Sequence, residues 1–480
     1  MSTGFLAGRK GRARRETLTA YLFLLPAILI ILVFGLWPVV HALYVSLHKW
    51  NVKPRGFQCF AYWAAKVGIG SPQALTKTDC LGLKNYVELL GLQNAASVLG
   101  MAAALLLGLL AYRLGRRARQ APRRAAWRWV GAAILAAASL YLFAGALPGL
   151  IASGEWTYLV TIGLLLVAWL VWKGAGLADS TPRWLLRVVA ATALISSALF
   201  FFFVDFKRIW ALGSQEFWRS MIYTVFYAVG TVPVQLGISL LLAYVLFQGI
   251  RGQGAFRLLY FMPYIAPSVA TAVVFRRVFT LRDTGLMNQF MNLLGLPTLK
   301  WLHEARGVNL VLLDLINRVF HTSLAWPQIA DPLNAILVGP SLALVSIIFY
   351  NWWVFVGYDV VIYLAGLGNI PGELYEAAEI DGAGRWALLR KITIPLLSPT
   401  TFFLTIMATI GTFKAFNHIW IMKEDAARNT VETTTLLIFQ TFRARGQFGE
   451  AAAMAFILFA AILIMSQIQN RIGDKLVFYG

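Results

Sequence analysis

Runs of about twenty consecutive apolar residues recur along this 480-residue chain. Each is long enough to cross the ~30 Å hydrocarbon core of a bilayer as a helix. Inside lipid every backbone N–H and C=O must find its partner within the protein, so only helices and closed barrels can span. Barrel strands are shorter and alternate apolar with polar residues; these runs are long and continuous. The expected fold class is therefore all-α, a polytopic transmembrane helical bundle. Composition agrees, with 59% hydrophobic and 13% charged residues where a soluble domain carries about 25% charged.

Ten spans are expected, at 20–45, 95–113, 128–150, 157–173, 185–205, 219–247, 258–279, 341–367, 395–417 and 451–470. The net charge of +21 would suggest nucleic acid in a soluble protein. In a membrane protein it reads instead as cytoplasmic loops rich in Lys and Arg. The N-terminal "GRKGRARR" precedes an apolar run with no small-residue cleavage site, so it reads as an uncleaved first helix with its N-terminus inside. The loop after the second span carries Arg113, Arg116, Arg117, Arg119, Arg123, Arg124 and Arg128 with no acid. Later inside loops carry Lys173, Arg183 and Arg187, then Arg251 and Arg257, and the C-terminus carries Arg471 and Lys475. These stretches agree on one orientation, with both termini cytoplasmic. Three longer segments, about 48–94, 280–338 and 418–450, then lie outside. Cys59 and Cys80 both fall in the first of them. That compartment permits a disulfide, and two free thiols are the alternative. One cysteine pair without histidine is not a metal site.

One polar segment interrupts the apolar pattern: "PGELYEAAEIDGAGRWALLRKITIP", residues 371–395. Asn369 and Pro371 are helix-start residues. Glu373, Glu376 and Glu379 come early and Arg385, Arg390 and Lys391 late, which suits a helix dipole. Gly382 and Gly384 predict two short helices joined by a turn. Ala377 and Ala378 leave a flat surface where another backbone can approach. Taken by itself, the segment reads first as a solvated amphipathic connector between two spans.

The spacing of Glu376, Ala377, Ala378, Gly382, Ile392, Ile394 and Pro395 resembles the EAA loop of binding-protein-dependent ABC importer permeases of the carbohydrate (maltose-type, MetI-like) family. Ile394 stands where the family usually has Leu. Residues 21–50, 83–90 and the helices from 215 onward also resemble that family in order. The resemblance implies a type I importer permease core of about six helices. About four extra spans lie between the first and second. An even number keeps the termini and the coupling loop on one side. The implied organisation is 1–50 as cytoplasmic N-terminus and first helix, 51–94 as an extracytoplasmic loop, 95–210 as the inserted block and 211–480 as the permease core.

The resemblance also implies the mechanism and partners. No Gly-Lys pair occurs, so this chain has no P-loop. ATP and Mg would be bound by a separate ATPase dimer, against which Glu376, Ala377, Ala378, Gly382, Ile392 and Pro395 would dock. A second permease subunit, an extracytoplasmic sugar-binding protein and membrane lipid complete the expected partners, with no nucleic acid. Polar and aromatic residues inside spans are the default candidates for a solute path: Asn351, Tyr358 and Asp359 in one span, Thr412, Phe416 and Asn417 in the next. By resemblance Tyr358, Thr412 and Phe416 fall at or near sugar-contacting positions. Interhelical packing is the competing role. Lys414 reads as snorkelling to the outer interface. The histidines are scattered, so no enzyme and no metal site is read. The expected substrate is a carbohydrate, maltose or another oligosaccharide. The alternative class is an ATP-independent secondary carrier, disfavoured because the runs read as unbroken and without inverted repeats. A membrane-embedded enzyme would need carboxylate or histidine clusters that do not stand out.

Overall fold

The computed structural model describes residues 9–50, 82–92, 95–120, 125–154, 156–175, 181–248, 252–328, 333–427 and 429–477. Cys59 and Cys80, and Arg123, Arg124 and Arg251 of the expected inside loops, lie outside the described residues. In chain order the principal helices are α1 (Arg9–Ile30), α2 (Trp37–Ser46), α3 (Lys84–Leu90), α4 (Ala95–Gln120), α5 (Ala125–Ser153), α6 (Thr157–Ala175) and α7 (Thr181–Leu212). Then come α8 (Gln215–Phe247), α9 (Gln253–Ile265), α10 (Ser268–Val278), α11 (Leu286–Leu293), α12 (Val308–Phe320), α13 (Leu333–Leu337) and α14 (Leu342–Gly368). The last group is α15 (Gly372–Ile380), α16 (Arg385–Leu388), α17 (Ile394–Leu396), α18 (Ser398–Phe413), α19 (Asn417–Met422), α20 (Thr434–Arg443) and α21 (Phe448–Leu476). No strand occurs among the described residues.

Among the described residues, six helical stretches are long and apolar enough to cross a membrane: Thr19–Ser46, Trp129–Ser153, Val188–Leu212, Gln215–Phe247, Leu342–Gly368 and Phe448–Gly473. Two sharply bent helix pairs raise the number to eight. The expected spans 95–113 and 157–173 are helical, within α4 and α6, but are not among these eight.

Two expected spans are broken, which corrects the reading of unbroken runs. In place of 258–279, Gly254–Ile265 and Ser268–Val278 meet at 97°. In place of 395–417, Arg385–Leu396 and Ser398–Phe413 meet at 62°, and the second helix stops at Phe413. Proline causes both breaks, since it lacks the N–H for the helix ladder and restricts the residue before it. Pro263 and Pro267 flank the first break, Pro395 and Pro399 the second. Tyr350 of α14 braces the first break: its hydroxyl donates to the Ser268 carbonyl at 3.0 Å and pairs with Thr271 Oγ1 at 2.8 Å.

The described residues fall into two compact units, those of Met1–Tyr86 with Ile438–Ala461 and those of Val87–Leu437 with Ile462–Gly480. In the first, Asn85 Nδ2 donates to the carbonyls of Ser46 (2.7 Å) and His48 (3.1 Å), and the Phe448 N–H donates to Trp50 O at 2.9 Å. In the second, α4 packs on α5 and α6 on α7 as two hairpins, with Ser139 Oγ donating to Ala104 O at 2.7 Å in the first hairpin. Buried Asp205 of α7 accepts from the hydroxyls of Thr157 and Thr161 on α6. The core of this unit centres on α14, whose Leu344, Ile347, Tyr350, Tyr363 and Leu367 are fully buried. Ser214 caps α8 and Ser341 caps α14, each accepting a backbone N–H three residues on. Helices α9 and α14 touch at Gly357, where an added Cβ would collide with the Tyr260 carbonyl oxygen.

Candidate functional site

The polar segment after α14 folds as expected into two short helices and a turn. α15 ends at a Gly382 with φ +81°, a left-handed conformation that a Cβ disfavours. The Ala383 N–H returns to Ala378 O at 2.9 Å and the Gly382 N–H to Glu379 O at 3.0 Å, so the turn closes the helix end. Gly384 then caps α16 at an ordinary φ of −73°. Asn369 is not a helix start: it is the C-cap of α14, and Pro371 occupies the N-cap of α15 without a side-chain hydrogen bond. α14 runs too far for Asn369 to cap the next helix.

Glu376, Ala377 and Gly382 are exposed; Ala378, Ile392 and Pro395 are half-buried. The Tyr375 hydroxyl pairs with Thr393 Oγ1 at 3.1 Å, tying α15 to the π-helical turn Leu389–Thr393. Apolar side chains stand uncovered beside the acidic ones: Leu374 at 43%, Ile380 at 86% and Trp386 at 71% exposure.

All six residues named as candidates for a solute path line one cavity of about 410 Å³. α14 contributes Tyr358, the second half of the broken α17–α18 pair contributes Thr412, the chain between α18 and α19 contributes Phe416, and α19 contributes Asn417 at its first position. Ring faces dominate part of its wall: Tyr264 stacks on Tyr358 with centroids 4.7 Å apart, and Tyr350 and Phe355 stand nearby. The Thr412 hydroxyl donates to Thr409 O of its own helix at 2.9 Å. Lys414, read from sequence as snorkelling away, lines the cavity and is exposed.

Sequence reasoning named Asn351 and Asp359 but missed the partners that hold them. The Tyr227 hydroxyl donates to Asn351 Oδ1 at 2.8 Å. Asn351 Nδ2 donates to Gln235 Oε1 at 3.0 Å, and Gln235 Nε2 donates to Asp359 Oδ2 at 2.6 Å. His418 Nε2 lies 2.7 Å from the Tyr227 hydroxyl. Because that hydroxyl spends its proton on Asn351, the contact requires His418 Nε2 to carry its own hydrogen. One buried chain, His418–Tyr227–Asn351–Gln235–Asp359, thus ties α19, α8 and α14 together along the cavity. Asn351 lines the cavity and also joins helices. Polar residues on α8 spaced eight apart, Tyr227 and Gln235, were the only signal for this chain in the sequence.

The sequence model of the family described as "Binding-protein-dependent transport system inner membrane component" matches residues 208–477. The chain is similar to the lactose transport system permease protein LacF of Rhizobium radiobacter, 30% identical over 266 residues, 55% of this chain and 77% of the relative. It is similar to the arabinooligosaccharides transport system permease protein AraP of Bacillus subtilis, 26% identical over 276 residues, 57% and 77% of the two chains. It is also similar to the sn-glycerol-3-phosphate transport system permease protein UgpA of Agrobacterium fabrum, 28% identical over 271 residues, 56% and 80%. Both the cavity and the exposed helix pair lie inside the matched region; residues before 208 lie outside it.

Proposed function

This chain belongs to the family of binding-protein-dependent transport system inner membrane components, and from that premise we propose that it is the permease subunit of an ATP-binding cassette importer for a carbohydrate. The observation that carries the reading is the uncovered helix pair α15–α16. Ile380 and Trp386 are too exposed for a segment whose only task is connection. A separate ATPase dimer, holding ATP and Mg, would cover that surface, with Glu376 making polar contacts to it. The same reading brings a second permease subunit, an extracytoplasmic binding protein, and termini on the cytoplasmic side together with α15–α16.

The geometry supplies a route for the work. α15 follows α14 after three residues, and α16 leads through α17 into α18. α14 and α18 both wall the cavity. A push on the helix pair would tilt two walls together, as a rigid-body change of the domain-closure kind. The broken helices supply hinges for such a tilt, so breaks alone do not favour a secondary carrier.

A sugar suits the cavity because aromatic faces with a few hydrogen-bonding groups are what sugar rings require. The names of LacF and AraP point to oligosaccharides, and maltose is within that class. UgpA is named for a phosphate ester, the one anionic substrate among these three names. Co-purification from native membranes is the test. An ATPase subunit is expected to travel with the chain and to crosslink from Ile380→Cys. Crosslinks to no ATPase from that position would overturn the reading.

A further inference from the structure

A second cavity, of about 350 Å³, lies between α9 and α14 and shares no residue with the first. Arg257, Tyr260, Phe261, Val361, Leu364 and Ala365 line it. The two helices are in contact at Gly357 and leave this groove on the side toward the start of α9 and the end of α14. Val361 and Ala365 are exposed, so the groove opens to the outside of the bundle. Its walls are apolar except at one end, where Arg257 and Tyr260 stand one helical turn apart.

That polar end is unsatisfied. The Tyr260 hydroxyl is buried without a hydrogen-bond partner among the described residues, which is costly unless something supplies one. No acidic side chain lines the groove, so the Arg257 guanidinium has no counter-charge there. A guanidinium and a hydroxyl at the head of an apolar trough that opens to the outside of the bundle match a phosphate with a hydrocarbon tail.

We propose that this groove binds one anionic phospholipid, its phosphate held by Arg257 and the Tyr260 hydroxyl and one acyl chain laid along Phe261, Val361 and Leu364. The leaflet is set by the orientation proposed above and is the cytoplasmic one; the binding chemistry does not depend on it. A lipid there would brace the contact between α9 and α14 at the end of α14 that leads into α15.

The test uses the full chain in nanodiscs of phosphatidylcholine, with a photoreactive phosphatidylglycerol or a photoreactive phosphatidylcholine as probe. Labelled peptides are mapped by mass spectrometry. Phosphatidylglycerol is expected to label residues 257–261 and 361–365 in preference to phosphatidylcholine. Arg257→Gln, at an exposed position, is expected to cut that preference about fivefold, the worth of one arginine near an anionic surface. Ala365→Trp fills the trough but keeps Arg257, and is expected to abolish labelling by both probes. Excess inorganic phosphate is expected to leave labelling unchanged; displacement by phosphate would show a free-anion site and overturn the proposal. Equal labelling by the two probes, an unaltered preference in Arg257→Gln, or Leu364→Cys crosslinks solely to a second polypeptide would overturn it too. The readout is binding, not transport, so its failure is separable from failure of the importer reading.

Discussion

Gly382 and Gly384 lie two residues apart in the exposed helix pair, and the structure predicts opposite outcomes for the same substitution. Neither has a heavy atom within 4 Å of where a Cβ would sit, so alanine meets no steric obstacle at either position. The difference is in the backbone. Gly382 has φ +81°, and holding an L-residue in that left-handed region costs roughly 1–2 kcal/mol. Gly384 has φ −73°, which alanine adopts freely. Gly382→Ala should therefore shift the turn out of its docking conformation by that amount, and weaken ATPase binding about five- to thirtyfold. Gly384→Ala should stay within about twofold of wild type, as expected of a surface change of under about 0.5 kcal/mol. The assay is titration of the chain in nanodiscs with its purified ATPase, read by fluorescence anisotropy. Insertion is checked by yield, since the turn lies outside the two cores that pack α14 and α18. Equal affinities for Gly382→Ala and wild type would refute the claim that the turn's conformation presents the docking face. Equal losses in both alanine variants would refute the backbone argument.

Two further outcomes rest on buried partners. Tyr227→Phe removes the hub of the chain from His418 to Asp359 and leaves Asn351 Oδ1 and His418 Nε2 without their partner. It should cost about 1–2 kcal/mol, read as a lower Tm, and the Asn351→Ala loss should shrink in the Tyr227→Phe background if the two act as one network. In the segment between α10 and α14, burial raises the Glu304 pKa, but the hydrogen bonds and charge of Arg306 outweigh it and hold the carboxyl below its ordinary value of 4.5. The ionised form is therefore favoured by folding. The stability difference between wild type and Glu304→Gln should be full near neutral pH and fade as pH falls below about 4.5 through the lowered folded value; a difference independent of pH in thermal melts would contradict the pairing.

Most of the crossings and the turn at Gly382 were legible because each leaves a local mark. Twenty apolar residues in a row announce a span whatever surrounds them, and Gly382 and Pro395 constrain backbone by their own chemistry. Tyr358, Thr412, Phe416 and Asn417 were found as polar or aromatic groups where lipid tolerates few. Breaks were missed because hydropathy averages over a whole run: "YFMPYIAPSVA" is as apolar as an unbroken span, and only the pair Pro263 and Pro267 betrays the 97° bend. Asn369 misled because an asparagine closes a helix as readily as it opens one. The partners of Asn351 were out of reach for a different reason. Tyr227 and Gln235 lie more than a hundred residues away on α8, and no periodicity within α8 says which neighbour it will face.

Those missed features share a physical basis that bears on transport. A proline break frees backbone carbonyls that a continuous helix would use, and in lipid each must find a donor. At the bend between α9 and α10, Tyr350 adds a tie to Ser268 O in the first turn of α10, and so joins α14 to that bend. The His418–Asp359 chain joins the same α14 to α8 and α19. Both sets of ties involve residues that line the cavity, and α14 itself runs into α15–α16. A displacement of the helix pair must therefore either carry α8, α10 and α19 along with α14 or break these buried hydrogen bonds. The first costs less. Closure of the bundle as a body, with bending confined to the two proline breaks, is the motion this arrangement favours.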